Sequence, residues 1–396
     1  MKKKLVYLFP VLLAFGCMSN KDQDNNQSET HKAVMDLKVT DAEITEFPIK
    51  FCMSVSPNGR YMFYAEDEFV AWDIEEERIV FSEEYGHFIS AYNIRWADDN
   101  MKAAFYDFWA MAIDPDIRVA DFTRNELSNL TDDGYQFLSS KSTDFFIDSS
   151  PVWKSDNKTI YFFRLYKDPD YTSHNELCEI SIDRKEVRVI CELMESRRIL
   201  IDSRPMLTDN CKEIIIPVSL DIENESADAC VILSIYLSCK KSEIIFDSRD
   251  QDYSFYYDFI GMSSDEEKIL VIDRKAAREQ TENQPLLYII DLKENEIRPL
   301  IDIDGFFDPG TAALSPDKTR ILYFYRELPD RNLVLGLYDF KTGQKKTLLK
   351  PDWNIPDRLV LNYDLQLSWC IGDIVYGTAV LENGDRRLLK FRLTKE

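Results

Sequence analysis

Histidine is almost absent from this chain, with three residues among 396, at positions 31, 87 and 174. His31 lies in a polar N-terminal stretch, His87 lies between the first two repeats described below, and His174 is expected in a loop of the third. Enzymes that hold a metal ion on several imidazoles need more than the two histidines left in the folded part. Lyases of that kind are therefore nearly excluded.

Other chemical signatures are also missing. There is no C-x-x-C pair, so nothing indicates a zinc or dithiol redox site. There is no G-x-S-x-G nucleophile elbow, since the nearest match, GMSSD at 261–265, lacks the second glycine. Acidic pairs cannot be chosen by spacing among 71 Asp and Glu. We therefore expect a binding protein rather than an enzyme.

Basic residues are scarce relative to acidic ones. The chain has 48 Lys and Arg against 71 Asp and Glu, a formal charge of -23. Such a surface repels phosphate backbones and anionic lipid, so no nucleic-acid partner is expected. Because 45% of the residues are hydrophobic and only 12 are glycine, the sequence is nevertheless one that folds.

A long apolar run is missing except near the N-terminus, at residues 5–15. It is shorter than the roughly 20 residues that span a bilayer and follows three lysines, as in an exported signal. The segment resembles a bacterial lipoprotein signal, which implies lipidation of Cys17. Ala14 departs from the leucine usual in that family, and residues 14–16 also suit ordinary signal peptidase.

These features predict three regions: a signal peptide at 1–16, a lipidated cysteine with a polar tether at 17–33, and one domain at 34–396. The lipid would be the only membrane contact, placing the protein on the bacterial outer membrane, on its periplasmic or cell-surface side. Asp22 and Asp24 resemble the acidic export tags of Bacteroidetes lipoproteins, although a plain polar linker fits them equally well.

The rest of the chain contains a ten-residue repeat, in which an apolar anchor is followed three positions later by Asp or Asn and then by an apolar strand. The copies occupy 55–64, 96–105, 153–162, 207–216, 262–271 and 314–323, with a shorter seventh at 369–376. The Asx column is Asn58, Asp99, Asp156, Asn210, Asp265 and Asp317. Such side chains cap hairpin turns, an interpretation that we prefer to a ring of metal-binding carboxylates.

A second hairpin follows each repeat, and an Asp is expected to end the third strand at positions 73, 121, 183, 291 and 339. Four antiparallel strands in about 50 residues make one propeller blade. The seventh unit supplies only three strands. We therefore predict a seven-bladed β-propeller, with residues 42–47 pairing beside the third strand of the last blade and removing two open sheet edges.

The SPNG, SPDK and WKSD turns, each followed by an apolar strand, resemble the TolB-type propeller repeat, over nearly all of residues 35–396. The resemblance implies the fold and says little about function. It departs from TolB in lacking the small domain before the propeller, and from propeller-bearing peptidases in lacking a hydrolase domain. Bacteroidetes lipoproteins with TolB-like repeats are similar in layout, and their family implies no reaction.

One stretch is compatible with Ca²⁺. Asp302, Asp304 and Asp308 surround a D-x-D-G pattern whose oxygens could wrap a cation, but the closing Glu of an EF-hand loop is missing. An acidic turn between blades explains the pattern as well. No other cofactor is indicated.

Two of the seven cysteines after Cys17 are placed symmetrically in one hairpin. Cys178 and Cys191 flank the turn at 184–185 at equal distance, so they are expected to oppose each other, either as a disulfide or as two buried thiols.

Aromatic and acidic residues concentrate in the loops that join the second strand of a blade to the third and one blade to the next. These loops share one end of a propeller, which we call the loop face, and loops are where ligands usually bind. The candidate partner-binding residues are Tyr85, Phe137, Tyr253, Tyr256, Tyr257, Phe306, Phe307 and Trp353.

Such a mixture suits stacking on sugars or anchoring a protein, although rings of this kind also pack beneath loops as satellite core. We therefore expect an envelope-anchored binding or scaffolding module that recognises a protein or glycan partner. The alternative is a glycan-active hydrolase or lyase using loop-face carboxylates.

Overall fold

The computed structural model describes residues 37–48, 53–65, 68–84, 94–106, 116–132, 146–167, 173–193, 197–199, 204–220, 229–248, 257–273, 287–300, 312–327, 332–349, 367–380 and 385–395. The regular elements in these ranges are 29 β-strands. Across the same ranges, no helix is long and apolar enough to cross a membrane.

The strands form seven antiparallel sheets, which confirms the predicted seven-bladed β-propeller. Blade 1 contains β2 (Met53–Val55), β3 (Tyr61–Ala65), β4 (Glu68–Asp73) and β5 (Arg78–Glu84). Blade 2 contains β6 (Arg95–Trp96), β7 (Lys102–Tyr106), β8 (Ile117–Asp121) and β9 (Glu126–Asn129). Blade 3 contains β10 (Phe146–Trp153), β11 (Thr159–Lys167), β12 (Ser173–Ser181) and β13 (Val187–Leu193).

The first strand of blade 4 is interrupted, so β14 (Arg197–Ile199) and β15 (Met206–Leu207) both pair with β16 (Glu213–Leu220), ahead of β17 (Ala229–Tyr236) and β18 (Lys241–Asp247). Blade 5 contains β19 (Tyr257–Met262), β20 (Lys268–Asp273), β21 (Leu287–Asp291) and β22 (Glu296–Pro299). Blade 6 contains β23 (Ala312–Leu314), β24 (Arg320–Glu327), β25 (Asn332–Asp339) and β26 (Lys345–Leu349). Blade 7 contains β27 (Ser368–Cys370), β28 (Ile374–Val380), β29 (Arg386–Lys395) and β1 (Leu37–Pro48).

The seventh blade is closed by the N-terminal strand, as predicted. β1 runs antiparallel to β29, from Leu37 opposite Lys395 to Pro48 opposite Arg387. Leu37 is buried in the core between blades 6 and 7, and Lys346 Nζ donates a hydrogen bond to the Leu37 carbonyl at 2.9 Å. The closing strand is longer than the expected 42–47, and it removes the open edge that β29 would otherwise present.

The hydrophobic core is divided into seven clusters, one between each pair of adjacent blades. Successive residues of a strand point to opposite faces of the sheet, and both faces of each blade are covered by a neighbour. Met62 and Phe63 in β3 illustrate this, since both are fully buried but Met62 packs against blade 7 and Phe63 against blade 2.

Tryptophan anchors of the repeat join neighbouring blades. Trp96 donates its indole N–H to Ser54 Oγ of blade 1 at 3.0 Å. Trp153 donates in the same way to the carbonyl of Arg95 in blade 2 at 2.8 Å. Each indole ring is therefore packed between two blades and also hydrogen-bonds the first strand of one blade to the first strand of the next.

The fourth strand carries a bulge in five of the blades, including β1 of blade 7, whose register shifts after Thr40 and after Ile44. The pairing register shifts by one residue next to Ala71 in blade 1, Cys178 in blade 3, Leu233 in blade 4 and Gly336 in blade 6. A bulge bends and twists the strand in which it occurs. Because the fourth strand is the outer edge of a blade, the repeated bulge makes that edge a poor template for pairing with another chain.

Candidate functional site at the loop-face end of blade 3

The Asx column of the repeat caps turns, as predicted. In all six copies the side-chain oxygen accepts a hydrogen bond from the backbone N–H two residues later, at 2.8 to 3.2 Å. The residue that follows the Asx has a positive φ in every copy, between 54° and 74°. This turn is the reason for the column, and no group of three or more His, Cys, Asp or Glu is placed to hold a metal in the part of the chain that the structure describes.

A hydroxyl two positions before the Asx supports the same turn in four copies. Ser56, Thr208, Ser263 and Ser315 donate their hydroxyl to the Asx oxygen and accept the N–H of the residue that begins the next strand. The repeat, as defined by its apolar anchor and its Asx residue, leaves this column unspecified. Its Ser or Thr content in four of six copies was the signal that would have identified it.

The turns of neighbouring blades are also bonded to each other. Asp98 N–H donates to Asn157 Oδ1 at 2.8 Å, and Ser264 N–H donates to the Lys318 carbonyl at 3.0 Å. The end of the propeller that carries these hairpin turns is called the turn face here. Its turn polar groups are used to build and join the blades.

The Asp at the end of the third strand closes the other hairpin. Asp73 Oδ1 accepts the N–H groups of Glu75 and Glu76, both at 3.1 Å, and Asp73 Oδ2 receives Nε and Nη2 of Arg60 at 3.1 and 3.0 Å. Burial alone would raise the pKa of Asp73, but these hydrogen bonds hold it below its ordinary value. Asp121, Asp291 and Asp339 end their strands and cap in the same way, whereas Asp183 lies two residues beyond the end of β12.

Most of the loop residues proposed from the sequence fall outside the described ranges. This applies to Cys17, to Asp302, Asp304 and Asp308, and to Tyr85, Phe137, Tyr253, Tyr256, Phe306, Phe307 and Trp353. Tyr257 is the first residue of β19, at the loop-face end of blade 5. The partner-binding role and the Ca²⁺ interpretation therefore stay predictions.

The predicted opposition of Cys178 and Cys191 is wrong. The bulge between Leu177 and Cys178 sets Cys191 opposite Leu177, and Cys178 opposite Val189. Cys178 consequently faces blade 2, whereas Cys191 packs against the cluster shared with blade 4. Both are free thiols on opposite faces of one sheet, and burial raises their pKa values to about 12 and about 11.

Blade 3 is longer than blade 2 and places charged residues near its loop-face end. Its second and third strands have nine residues each, against five in blade 2. Asp148 and Arg164 oppose each other there, and the guanidinium Nε and Nη2 of Arg164 donate to the two carboxylate oxygens at 2.7 Å each. The Asp148 side chain is 2% exposed, so this bidentate pair is an internal part of the blade.

Aromatic rings lie in the adjacent row of the same sheet. Phe146, Tyr166 and His174 oppose each other across β10, β11 and β12. The rings of Tyr166 and His174 are stacked, with centroids 4.7 Å apart and planes 11° from parallel. His174 Nδ1 lies 2.9 Å from Glu192 Oε1, and the Glu192 side chain is 55% exposed. The expectation that His174 lies in a loop is wrong, because β12 begins one residue before it.

Glu176 lies in the row of Asp148 and Arg164, directly opposite Arg164 on one side and Glu192 on the other. Burial raises the pKa of Glu176 above its ordinary value, and the positive charge of Arg164 offsets this in part. We call Tyr166, His174, Glu176 and Glu192 the blade 3 cluster. It combines a flat aromatic surface with two carboxylates.

Comparisons with known proteins identify the fold and nothing finer. No family model matches the sequence, and no curated protein matches it. A prolyl endopeptidase structure covers 94% of this chain and 49% of that chain at 9% identity, with a TM-score of 0.52. The Cps50 (Swd1) β-propeller domain of Myceliophteria thermophila matches 90% of this chain and all of that chain, at 9% identity and with a TM-score of 0.50. An oligogalacturonate lyase in complex with manganese matches 90% of this chain and 99% of that chain, at 9% identity and with a TM-score of 0.44.

Such likenesses identify the fold, a β-propeller, and propellers host unrelated functions. Function must therefore be argued from the residues of this chain.

Proposed function

We propose that the protein is an envelope-anchored binding or scaffolding module that recognises a protein or glycan partner on its loop face. The observation that carries the proposal is the blade 3 cluster, where a stacked Tyr166 and His174 lie beside Glu176 and Glu192. Aromatic surface beside directional polar groups is the usual composition of a recognition site.

The two ends of the propeller differ in how their polar groups are used. On the turn face, the Asx side chains and the strand-ending Asp residues bond to backbone N–H groups of their own hairpins. Those hydrogen bonds stabilise the turns, so the presence of these residues is explained by folding without a binding role. The carboxylates of the blade 3 cluster cap no turn, and burial raises the pKa of one of them, Glu176. Shifted pKa values of this kind are found at functional sites more often than elsewhere.

The direction of β1 favours a partner on the side away from the membrane. Leu37 pairs with Lys395, and Leu393 N–H donates to the Asp373 carbonyl in the first hairpin turn of blade 7. The chain therefore enters the domain at the turn face. A tether leading from Cys17 to Leu37 would hold the turn face nearest the anchor and leave the loop face accessible.

Anchoring completes the proposal. The signal-like residues 1–16 and the cysteine that follows them support export and lipidation at Cys17, and hence a lipoprotein of the bacterial outer membrane. The Bacteroidetes-type layout of a lipidated cysteine, polar tether and propeller is part of the same proposal.

The test is a cross-linked pull-down of the native protein from its own membranes, with partners identified by mass spectrometry. A Cys17→Ser variant expressed at the same level is the matched control for anchoring. We expect a stoichiometric partner with cross-links on the loop face, and release of the Cys17→Ser protein from membranes. Cross-links confined to the turn face, or turnover of a glycan that is lost on a single Glu change, would overturn the binding-module proposal.

A further inference from the structure

We propose that Lys185 is a cap that keeps the outer edge of blade 2 from pairing with a strand of a second copy of the chain. The inference is independent of the proposed function, because it concerns the outer rim of the propeller rather than its loop face. It assigns a role to an exposed lysine that belongs to blade 3 but contacts blade 2.

The first support is that the fourth strands of blades 2 and 5 lack the bulge found in the other five blades. β9 pairs with β8 from Asn129 opposite Arg118 to Glu126 opposite Asp121, without a register shift. β22 pairs with β21 in the same regular way. A regular outermost strand is a template on which a strand of another chain can pair.

The second support is the direction of the backbone groups in β9. Leu130 N–H donates to the Ile117 carbonyl at 2.9 Å, so Leu130 and every second residue before it direct their backbone groups toward β8. The alternate residues, Leu127 and Asn129, direct their N–H and C=O groups away from the blade. Within the described residues β9 is the last strand of its sheet, so no further strand pairs with these groups.

The third support is the contact that occupies one of these outward groups. Lys185 lies in the turn between β12 and β13 of blade 3, and its Nζ donates to the Asn129 carbonyl at 3.2 Å. A strand pairing with β9 would have to displace this charged donor from the carbonyl. Lysine at a sheet edge is one of the recurrent means by which proteins prevent such pairing.

Blade 5 supplies an internal comparison. Leu300 N–H donates to the first residue of the third strand of its blade, as Leu130 N–H does in blade 2. Pro299, the residue before Leu300, therefore occupies the position of Asn129. Because proline has no N–H to offer to an added strand, the two regular edges are blocked at the same position, one by a missing donor and the other by a capped acceptor.

The test replaces Lys185 with methionine, which keeps a long unbranched side chain but cannot donate a hydrogen bond. All proteins are full chains that carry Cys17→Ser, so that a lipid at that residue cannot cause association. Molar mass is measured by light scattering coupled to size exclusion over a series of protein concentrations. We expect the Lys185→Met chain to shift to at least twice the molar mass of the unsubstituted chain as concentration rises. Lys185→Arg restores a donor and should not shift.

Lys240→Met is the matched control. Lys240 is exposed and lies at the same position in the corresponding turn of blade 4, where its φ is 56° against 55° for Lys185 and its N–H likewise donates to the carbonyl four residues earlier. The edge of the preceding blade is bulged there, so no cap is needed. Lys240→Met should therefore leave the molar mass unchanged.

Hydrogen exchange locates the contact in the associated protein. The outward amides of Leu127 and Asn129 should become protected when the Lys185→Met chain associates, because they then donate to the added strand. A Lys185→Met chain that keeps the molar mass of the unsubstituted chain, equal association of the Lys240→Met chain, or association without protection in β9 would each overturn the inference.

Discussion

The phenol ring of Tyr323 occupies the space that a side chain at Gly336 would need. A Cβ built on Gly336 would lie 2.3 Å from Cζ and 2.7 Å from the hydroxyl oxygen of Tyr323. The two residues oppose each other in β24 and β25, and Tyr323 is 3% exposed between blades 5 and 6. Glycine at this position is therefore required by packing within the sheet rather than by a turn.

Replacing Gly336 with alanine should destabilise the protein by about 1–3 kcal/mol, the usual cost of overpacking a core. Urea denaturation measures the change. In a double-mutant cycle, Tyr323→Leu should make the Gly336→Ala step less costly, because the clashing ring is gone. Strictly additive effects would show that the two positions do not compete for space.

Removing β1 should expose the edge of β29 and cause self-association. A chain that lacks residues 1–48 is compared with one that lacks residues 1–36, which retains the closing strand. The shorter chain should form oligomers and unfold at lower urea concentration, because it also loses the burial of Leu37. Light scattering coupled to size exclusion gives the answer, and two monomers of equal stability would contradict the closure.

The turn-capping carboxylates should give the protein an acid-sensitive stability. Partial burial acts to raise the pKa values of Asp156, Asp265 and Asp317, but hydrogen bonds from other residues of the same turn hold them below the ordinary value for Asp. A carboxyl group whose pKa is lower in the folded than in the unfolded state stabilises the protein at pH values above its unfolded-state pKa. That stabilisation is lost as the pH falls through its folded-state pKa. A triple Asp→Asn variant should therefore lose less stability between pH 5 and pH 2, roughly the interval in which Asp titrates.

Asn58 and Asn210 already fill this column in two copies and accept the same backbone bond, so the triple variant should fold at neutral pH. Denaturation curves across the pH series decide the matter. If the triple variant lost as much stability at low pH as the native chain, other carboxylates would determine the acid sensitivity.

Glu176→Gln should increase stability at pH 7. Burial raises the pKa of Glu176, so the folded state is progressively destabilised as the pH rises from the unfolded-state pKa through this raised value. The glutamine amide of the variant does not ionise and causes no such loss. The difference should vanish below about pH 4, near the ordinary pKa of Glu. Glu294→Gln, at an exposed residue of the turn between β21 and β22, removes the same charge from the turn face and serves as the control. A variant less stable than the native chain at pH 7 would show that the Glu176 carboxylate is structural.

The thiols of Cys178 and Cys191 should be recovered as free cysteines. Alkylation without reductant in denaturant should modify both, since they lie on opposite faces of the sheet. In the folded protein, exposed Cys239 should react first, whereas burial raises the pKa of Cys178 to about 12 and suppresses its thiolate. A mass lower by two alkyl groups for the denatured, unreduced chain would restore the disulfide.

Local chemistry allowed much of the fold to be predicted. The Asx turns depend on a side chain and the backbone two residues later, so Asp156 and Asn210 could be assigned from the sequence alone. The closure by β1 followed from counting strands. Two features depart from the repeat and were not predicted. Asp183 lies beyond the end of its strand, and the first strand of blade 4 is interrupted.

The blade 3 cluster could not be predicted because it depends on the pairing register of the strands. Tyr166 and His174 meet only because β11 extends to Lys167 and β12 resumes at Ser173, whereas the sequence indicated a longer loop. Cys191 was misplaced for a related reason, since a one-residue bulge has no compositional signal but moves a side chain to the other face.

The central claim is that partners bind the loop face, and site-specific photo-cross-linking tests it most directly. A benzophenone amino acid is introduced at Glu68 or Tyr166 near the loop face, and at Glu75 or Glu294 on the turn face, in the chain expressed in its native host. The account predicts a discrete adduct from the loop-face positions and none from the turn-face positions. Adducts formed only from Glu75 or Glu294 would contradict it.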